Sequence, residues 1–386
     1  EAGKQVAPVG TVGQANGDND AESIADKYFV CTECLMEGYV QAFVDLFYLT
    51  HTTQSALAES DVDHADPDIS TEKLHFLKYQ LTLAEAAKRE GEMKRVYAAY
   101  KALAEHYESE GDFQTCIYFT EKGLEIAKLS EDVEAEADAN RSLGLAYEQL
   151  GNIQVAIEFH EKQRDLAEKA QDGDEYMDAN KHLVDVYRAF AEECEHNTEF
   201  AKAVQFHEKC MEAAQLCEDD NAHSMAFFQL GRAYHSLGQH DKSLIHFQEY
   251  YKMCQEAGDK VGEGNACYAL ADAHEAAGEV AEAIKFLESY FEVAQMTGEL
   301  ASQGEACSRL GVIYHTQGDY PNSVHYFEKA FEMARSLGDQ KGVAVARVNL
   351  GVARGQAKLG AFTRVVNTNI GALIKWKNRR TLFDDK

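Results

Sequence analysis

An all-α solenoid, a right-handed superhelix of 40-residue helix-turn-helix repeats, is the fold class the sequence predicts. Three observations carry it: a Leu-small-x-x-Tyr pattern that returns at a nearly constant interval, glycines at fixed offsets from it, and only three prolines in 386 residues. Proline breaks the helical hydrogen-bond ladder, so its scarcity suits long uninterrupted helices. A period of 20 to 50 residues is the mark of stacked supersecondary units, each of which buries its apolar face against its neighbours.

The pattern is clearest at Leu143-Gly144 with Tyr147, Leu230-Gly231 with Tyr234, and Leu310-Gly311 with Tyr314. Weaker copies stand at Leu103-Ala104 with Tyr107, Leu183-Val184 with Tyr187, and Leu270-Ala271 with His274, and a degenerate one at Leu350-Gly351 with Arg354. The aromatic position thus runs 107, 147, 187, 234, 274, 314 and 354, with five spacings of 40 and one of 47. A turn glycine follows four residues later at Gly111, Gly151, Gly238, Gly278 and Gly318, where the first helix of each unit must stop. A small residue five positions beyond the turn (Cys116, Ala156, Ser243, Ala283, Ser323, and Ala203 seven residues late) lets the second helix approach the small residue of the first. The aromatic is expected to fill the gap against the next repeat. Gly258-Asp259, Gly298-Glu299 and Gly338-Asp339 end the second helices, again 40 residues apart.

This pattern resembles the tetratricopeptide repeat, stretched from its common length by a longer second helix. In that family a concave groove is lined by first-helix positions two before and two after the Leu. Here those pairs read Lys101/Glu105, Arg141/Leu145, Lys181/Asp185, Phe228/Arg232, Tyr268/Asp272 and Ser308/Val312. The Lys and Asn clamp with which chaperone-tail-binding members grip a terminal carboxylate is absent. Charge mixed with aromatic surface suits a longer peptide or another folded chain. Arg141, Lys181, Phe228, Arg232 and Tyr268 are therefore the candidate partner-binding residues of the groove.

The pattern sets the domain organisation. Residues 1–22 lack periodicity and are expected to be disordered. Residues 23–92 hold N-terminal helices: one from about Ile24 to Leu49, an acidic linker from Glu59 to Asp68, and Thr71 to Arg89 as the second half of an incomplete leading repeat. Six repeats fill 93–338, and 339–386 form a degenerate capping repeat with a basic tail. The 47-residue spacing places seven extra residues between Tyr187 and Ala203, expected as a longer acidic turn over Glu192 to Asn197.

Net charge is −29, which repels phosphate backbones and anionic lipid, so the body of the protein is not expected to bind nucleic acid or membrane. Residues 340 to 386 reverse that sign, with ten basic residues against Asp384 and Asp385. Lys375, Trp376, Lys377, Arg379 and Arg380 are candidates for docking on an acidic surface, a partner chain or tubulin, with a capping helix over Val365 to Trp376 as the alternative. The nine cysteines, scattered within helical patterns, suggest a reducing compartment and packing thiols, Cys31 and Cys34 among them.

Catalytic signatures are missing. There is no phosphate-binding loop, no Gly-x-Ser-x-Gly elbow and no His-Glu-x-x-His helix, and Gly262-x-Gly264 has no strand before it. His160, His207, His246 and His325 are expected to pack or face water without carboxylate partners, so no metal and no cofactor is expected.

The segment Gly38 to Phe47, the region Phe76 to Gly111 and the order and spacing of the repeats through Gly351 resemble a family of axonemal tetratricopeptide proteins of motile cilia. The resemblance implies a non-catalytic scaffold of the axoneme and cytoskeleton, also found in cytoplasm. Its implied partners are subunits of a single-headed inner-arm dynein and a second tetratricopeptide protein with a MYND-type finger, and its implied role is in ciliary and flagellar beating. Two rivals are a spindle-orientation or other cytoplasmic adaptor that binds an extended peptide, and an enzyme built on a repeat scaffold. The first would need a C-terminal set of G-protein-binding motifs where this chain has a basic tail, and the second would need a segment outside the repeats long enough for a catalytic domain.

Overall fold

A computed structural model describes residues 17–51 and 69–379. The described residues are helical in tandem, with no strand among them. The N-terminal helices are α1 (Gly17–Met36), α2 (Val40–His51) and α3 (Thr71–Glu90). Helix pairs then follow: α4 (Met93–Ser109) with α5 (Phe113–Leu129), α6 (Val133–Gln149) with α7 (Ile153–Ala170), and α8 (Gly173–His196) with α9 (Phe200–Leu216). The series continues with α10 (Asp220–Ser236) and α11 (His240–Ala257), α12 (Lys260–Ala276) and α13 (Val280–Thr297), and α14 (Leu300–Thr316) and α15 (Tyr320–Leu337). It closes with α16 (Gln340–Thr368) and α17 (Ile370–Arg379). The chain divides into two compact units, Glu1–Val186 and Tyr187–Lys386.

In the first unit one apolar core runs through the stack, from Cys34 and Leu46 through Leu74, Leu77 and Leu81 to Leu103, Phe119 and Leu143. Helix α3 packs on α4 and also touches α1 and α2. In the second unit the core is a series of smaller clusters, such as Phe247 with Leu270 and Ala273, and Leu287 with Leu310 and Ile313. The motif Leu is fully buried at 103, 143, 183, 230, 270 and 310.

Most of the turns are built the same way. Gly111, Gly151, Gly238, Gly278 and Gly318 all have φ between +73° and +79°, or +81° at Gly278, a left-handed conformation that costs glycine nothing. Gly258, Gly298 and Gly338 cap the second helices in the same conformation. Asp259 and Asp339, next in sequence, accept a backbone N–H at the start of the following helix.

The same rule explains three departures from the sequence-based expectation. Where the position four after the aromatic is not glycine, the first helix runs on. Ala191 stands there in α8, which has 24 residues, and Lys358 in α16, which has 29, against 17 for α6 or α10. The seven-residue insertion is therefore two added helical turns and not a longer loop, since seven residues return almost to the same face at 3.6 per turn. The turn that follows, Asn197 to Glu199, is as short as the others. At the N-terminus, the helix expected over Ile24 to Leu49 is broken in two at Gly38, whose φ of +85° makes it another turn glycine. Helix α1 begins at Gly17, inside the segment expected to be disordered, because propagation adds a backbone bond per residue whether or not the sequence is amphipathic. Residues 1–16 and the acidic linker lie outside the described residues.

The aromatic position also differs from expectation. It stacks within its own helix pair, on the ring twelve residues later: Tyr147 on Phe159 at 5.5 Å, Tyr234 on His246 at 5.3 Å, His274 on Phe286 at 5.3 Å and Tyr314 on Tyr326 at 5.5 Å, all within 9° of parallel. Parallel rings at a three-residue turn satisfy both side chains locally, which leaves the gap between repeats to other residues. Tyr234 also reaches the preceding repeat, through an apolar cluster with Val204 of α9 and through its hydroxyl, which donates to Glu208 at 3.0 Å.

At Thr198 the turn lacks its glycine, and a β-branched residue is held at φ +61°. Relief of that conformation outweighs the added freedom of the unfolded chain, so Thr198→Gly should stabilise the second unit by about 0.5–1 kcal/mol in urea unfolding. The side chain is exposed, so no packing is lost.

Candidate functional site

In each unit a groove lies along the first helices. In the second unit α10, α12 and α14 present their first-helix positions side by side. Phe228 and Arg232 come from α10 and Tyr268 and Asp272 from α12, and with Tyr290 and Glu305 they line a groove of about 450 Å³. Three of the sequence-selected residues are thus brought together. Beside it a second recess of about 440 Å³ is lined by His235, Asp272, Glu275, Ser308, Arg309 and Val312.

Arg309, which the sequence pattern did not single out, organises this surface. Its guanidinium lies 4.9 Å from the centre of the Tyr268 ring, 2.9 Å from Asp272 and 2.7 Å from Glu275. Burial alone would lower its pKa, but the hydrogen bond to Glu275 and the charge of Asp272 raise it above the ordinary arginine value. Arg309 sits one residue before the motif Leu310, outside the two-before and two-after rule, and only the packing of α12 on α14 reveals it. Phe228 faces inward, with its ring 5.0 Å from Tyr250 and 5.8 Å from Phe247, so part of its surface holds the repeat together. Arg232 is 53% exposed and meets Gln229 at 3.0 Å and, more distantly, Glu195 at 3.8 Å.

In the first unit a groove of about 550 Å³ is lined by Tyr97 and Lys101 of α4, Asp138 and Arg141 of α6, and Glu175 of α8. Asp138 is its hub. It accepts from Lys101 at 2.6 Å, from the Tyr97 hydroxyl at 2.7 Å and from Arg141 at 2.8 Å. Burial would raise this carboxyl, but those donors together hold it below the usual aspartate value. Tyr97 moves the opposite way: burial first, then the Asp138 hydrogen bond, pushes its hydroxyl well above the ordinary range. Lys181 is exposed and lines neither groove. Asp138 and Tyr97 escaped the sequence rule because they lie five and six residues before their motif Leu, one turn further from the bend.

The basic end is split. Lys375, Lys377 and Arg379 are exposed on α17, whereas Trp376 is half-buried, its ring 6.0 Å from that of Phe362 in an edge contact. Arg380 lies outside the described residues. All nine cysteines are buried thiols, and burial raises Cys34 to about 11 and Cys267 to about 12, as packing residues require.

The histidines correct the expectation most sharply. His160 and His207 do meet carboxylates: His160 Nε2 lies 2.8 Å from Glu148 and His207 Nε2 lies 3.0 Å from Glu195. Both are buried at the position that Phe247 and Phe327 occupy in later repeats, with the His160 ring against Gly144. The extra two turns of α8 hid the second pair. They move Glu195 seven residues along the chain from the place Glu148 holds, and only the helical register restores the match.

A fold of stacked helix pairs with these grooves is that of a tetratricopeptide-repeat protein, and models of the tetratricopeptide repeat match residues 183–256, 266–290 and 304–337. Among curated proteins the chain is similar to Tetratricopeptide repeat protein 29 of Trypanosoma brucei brucei, 24% identical over 237 residues, which are 61% of this chain and 49% of that protein. The chain therefore spans about half the length of that relative. Among solved structures it is similar to the C-terminal part of a tetratricopeptide-repeat protein from Cytophaga hutchinsonii, with 14% identity, a TM-score of 0.45, and coverage of 69% of this chain and 98% of that one. A second likeness is to the repeats of a kinesin light chain from Podosopora anserina, with 18% identity, a TM-score of 0.35, and coverage of 52% and 96%. No helix among the described residues is long and apolar enough to cross a membrane.

Proposed function

We propose that this chain is a non-catalytic scaffold of the motile-cilium axoneme that helps to hold a single-headed inner-arm dynein and supports ciliary and flagellar beating. The observation that carries the reading is the likeness to Tetratricopeptide repeat protein 29, which extends over 237 residues and so covers the order of repeats and not one motif. The grooves support the binding half of the reading. Arg309 against Tyr268, and Asp138 among three donors, are charged groups already paired with one another, the arrangement of a recognition surface rather than of an acid and base poised for proton transfer. Partners of this kind are dynein subunits, a second tetratricopeptide protein with a MYND-type finger and, through Lys375, Lys377 and Arg379, the acidic surface of tubulin.

The test is fractionation and loss of function in a ciliated cell. The protein should remain with axonemes after detergent, leave them with salt, and co-purify with inner-arm components. Null cells should beat weakly and lack a subset of inner arms. Normal swimming with every inner-arm component retained would overturn the axonemal assignment.

A further inference from the structure

In the first unit, we propose that Glu148, His160 and His182 form a binding site for a borderline divalent transition-metal ion, of the class of Zn²⁺ or Co²⁺, between α6, α7 and α8. One ligand atom from each of the three lies within 4.8 Å of the others. Two imidazoles and one carboxylate are a donor set that such ions favour.

The hydrogen bonds around His160 fix which nitrogen holds its proton. Gln163 donates its amide N–H to Glu175 at 2.7 Å, which orients its carbonyl oxygen toward His160. That oxygen stands 3.1 Å from His160 Nδ1, so Nδ1 carries the hydrogen and donates it. The lone pair of Nε2 then points at the Glu148 carboxylate, 2.8 Å away, in a ring with no exposure to solvent. Two facing lone pairs at that distance require a cation. A proton would satisfy that pair alone, whereas a metal ion would also engage His182, whose ring stacks on His160 with centres 5.0 Å apart.

The surroundings have the form of a metal site. Metal-bound histidines donate their second N–H to a carbonyl or carboxylate, which is what Gln163, held by Glu175, accepts from His160. His182 has its own carboxylate, with Nε2 3.5 Å from Asp178. Metal–ligand bonds of about 2.1 Å place tetrahedral donors roughly 3.4 Å apart, so a small swing of the half-buried His182 closes the site.

The chain supplies its own comparison. The pair Glu195 and His207 repeats the twelve-residue spacing of Glu148 and His160, but the residue 22 positions after His207 is Gln229, where His182 follows His160. There the carboxylate has a different compensation. The hydrogen bond from His207 chiefly lowers the Glu195 carboxyl, and Arg232 lies 3.8 Å from it. A dyad completed by a guanidinium needs no metal, and a dyad completed by a second imidazole has the means to hold one.

The full chain should be titrated with Co²⁺ and separately with Zn²⁺. The expected result is one equivalent bound, with the visible absorption of low-coordinate Co²⁺, and a melting temperature raised by Zn²⁺. His182→Gln, which copies the second dyad, should fold with unchanged helicity, lose at least tenfold in affinity and abolish the Zn²⁺ shift. Glu148→Gln should do the same to Co²⁺ absorption. Absence of stoichiometric uptake by the natural chain, or equal uptake by His182→Gln, would overturn the site and leave a proton between His160 and Glu148.

Discussion

Replacing Phe247 by alanine should destabilise the second unit by about 3–5 kcal/mol, one of the largest single-residue effects expected in this protein. The ring is 2% exposed and lies in the cluster with Leu270 and Ala273, so it joins two successive repeats. It also lies against Gly231, where a Cβ would come 2.5 Å from ring carbons. Glycine at that place and an aromatic sixteen residues later are thus one device, and its two halves should fail in opposite ways. Phe247→Ala leaves a cavity, while Gly231→Val forces the ring aside at a cost of about 1–3 kcal/mol or more. Phe247→His should be milder than either, because His160 and His207 fill the same place in earlier repeats. Urea unfolding followed by tyrosine fluorescence would measure all three. A Phe247→Ala loss below about 1 kcal/mol would mean that the repeats do not depend on this contact.

Asp45→Ala should be nearly as costly in the first unit. The Asp45 carboxylate is 6% exposed and accepts from Lys122 at 2.8 Å and Gln41 at 2.9 Å, joining α2 to α5 across 77 residues of chain. Its loss strands the Lys122 ammonium against the rings of Tyr118 and Tyr100. Removing one member of a buried pair costs about 3–5 kcal/mol, and partial exposure of Lys122 reduces this to about 2–4 kcal/mol. Burial alone would lower the pKa of Lys122, but the hydrogen bonds to Asp45 and Tyr118 raise it above 10.5, the ordinary lysine value. A raised lysine contributes its full stabilisation below its unfolded pKa and loses it as pH climbs through the folded one. The natural chain should therefore weaken above about pH 10.5 by a term that Asp45→Ala lacks. Asp45→Ala with Lys122→Met should recover much of the loss, and failure to recover would place the cost in packing instead of charge.

The repeats were legible in the sequence because their determinants are local. A glycine four residues after an aromatic dictates where a helix ends wherever it occurs, and its replacement by Ala191 and Lys358 accounts for the two long helices. Gly38 ends a helix in the same left-handed conformation, but Cys34 and not an aromatic stands four residues before it, so the repeat pattern does not mark it. The groove was legible in part. Phe228, Arg232 and Tyr268 follow from the position of the motif Leu, whereas Arg309 depends on its reach from α14 to Tyr268, Asp272 and Glu275 of α12, which no spacing encodes. The partners of His160 and His207 were hidden for another reason. A glutamate twelve residues before a histidine, across a turn, becomes a neighbour only once two antiparallel helices are in register.

The claim that this protein acts by binding a partner along its first-helix grooves is tested most directly by site-specific photocrosslinking in axonemes. A crosslinking residue at Arg232, exposed in the groove of the second unit, should capture a dynein-associated or other axonemal chain. The same residue at Ile245, 58% exposed on α11 and outside both grooves, should capture little. Crosslinks at Ile245 with none at Arg232, in a variant that still enters the axoneme, would contradict the account.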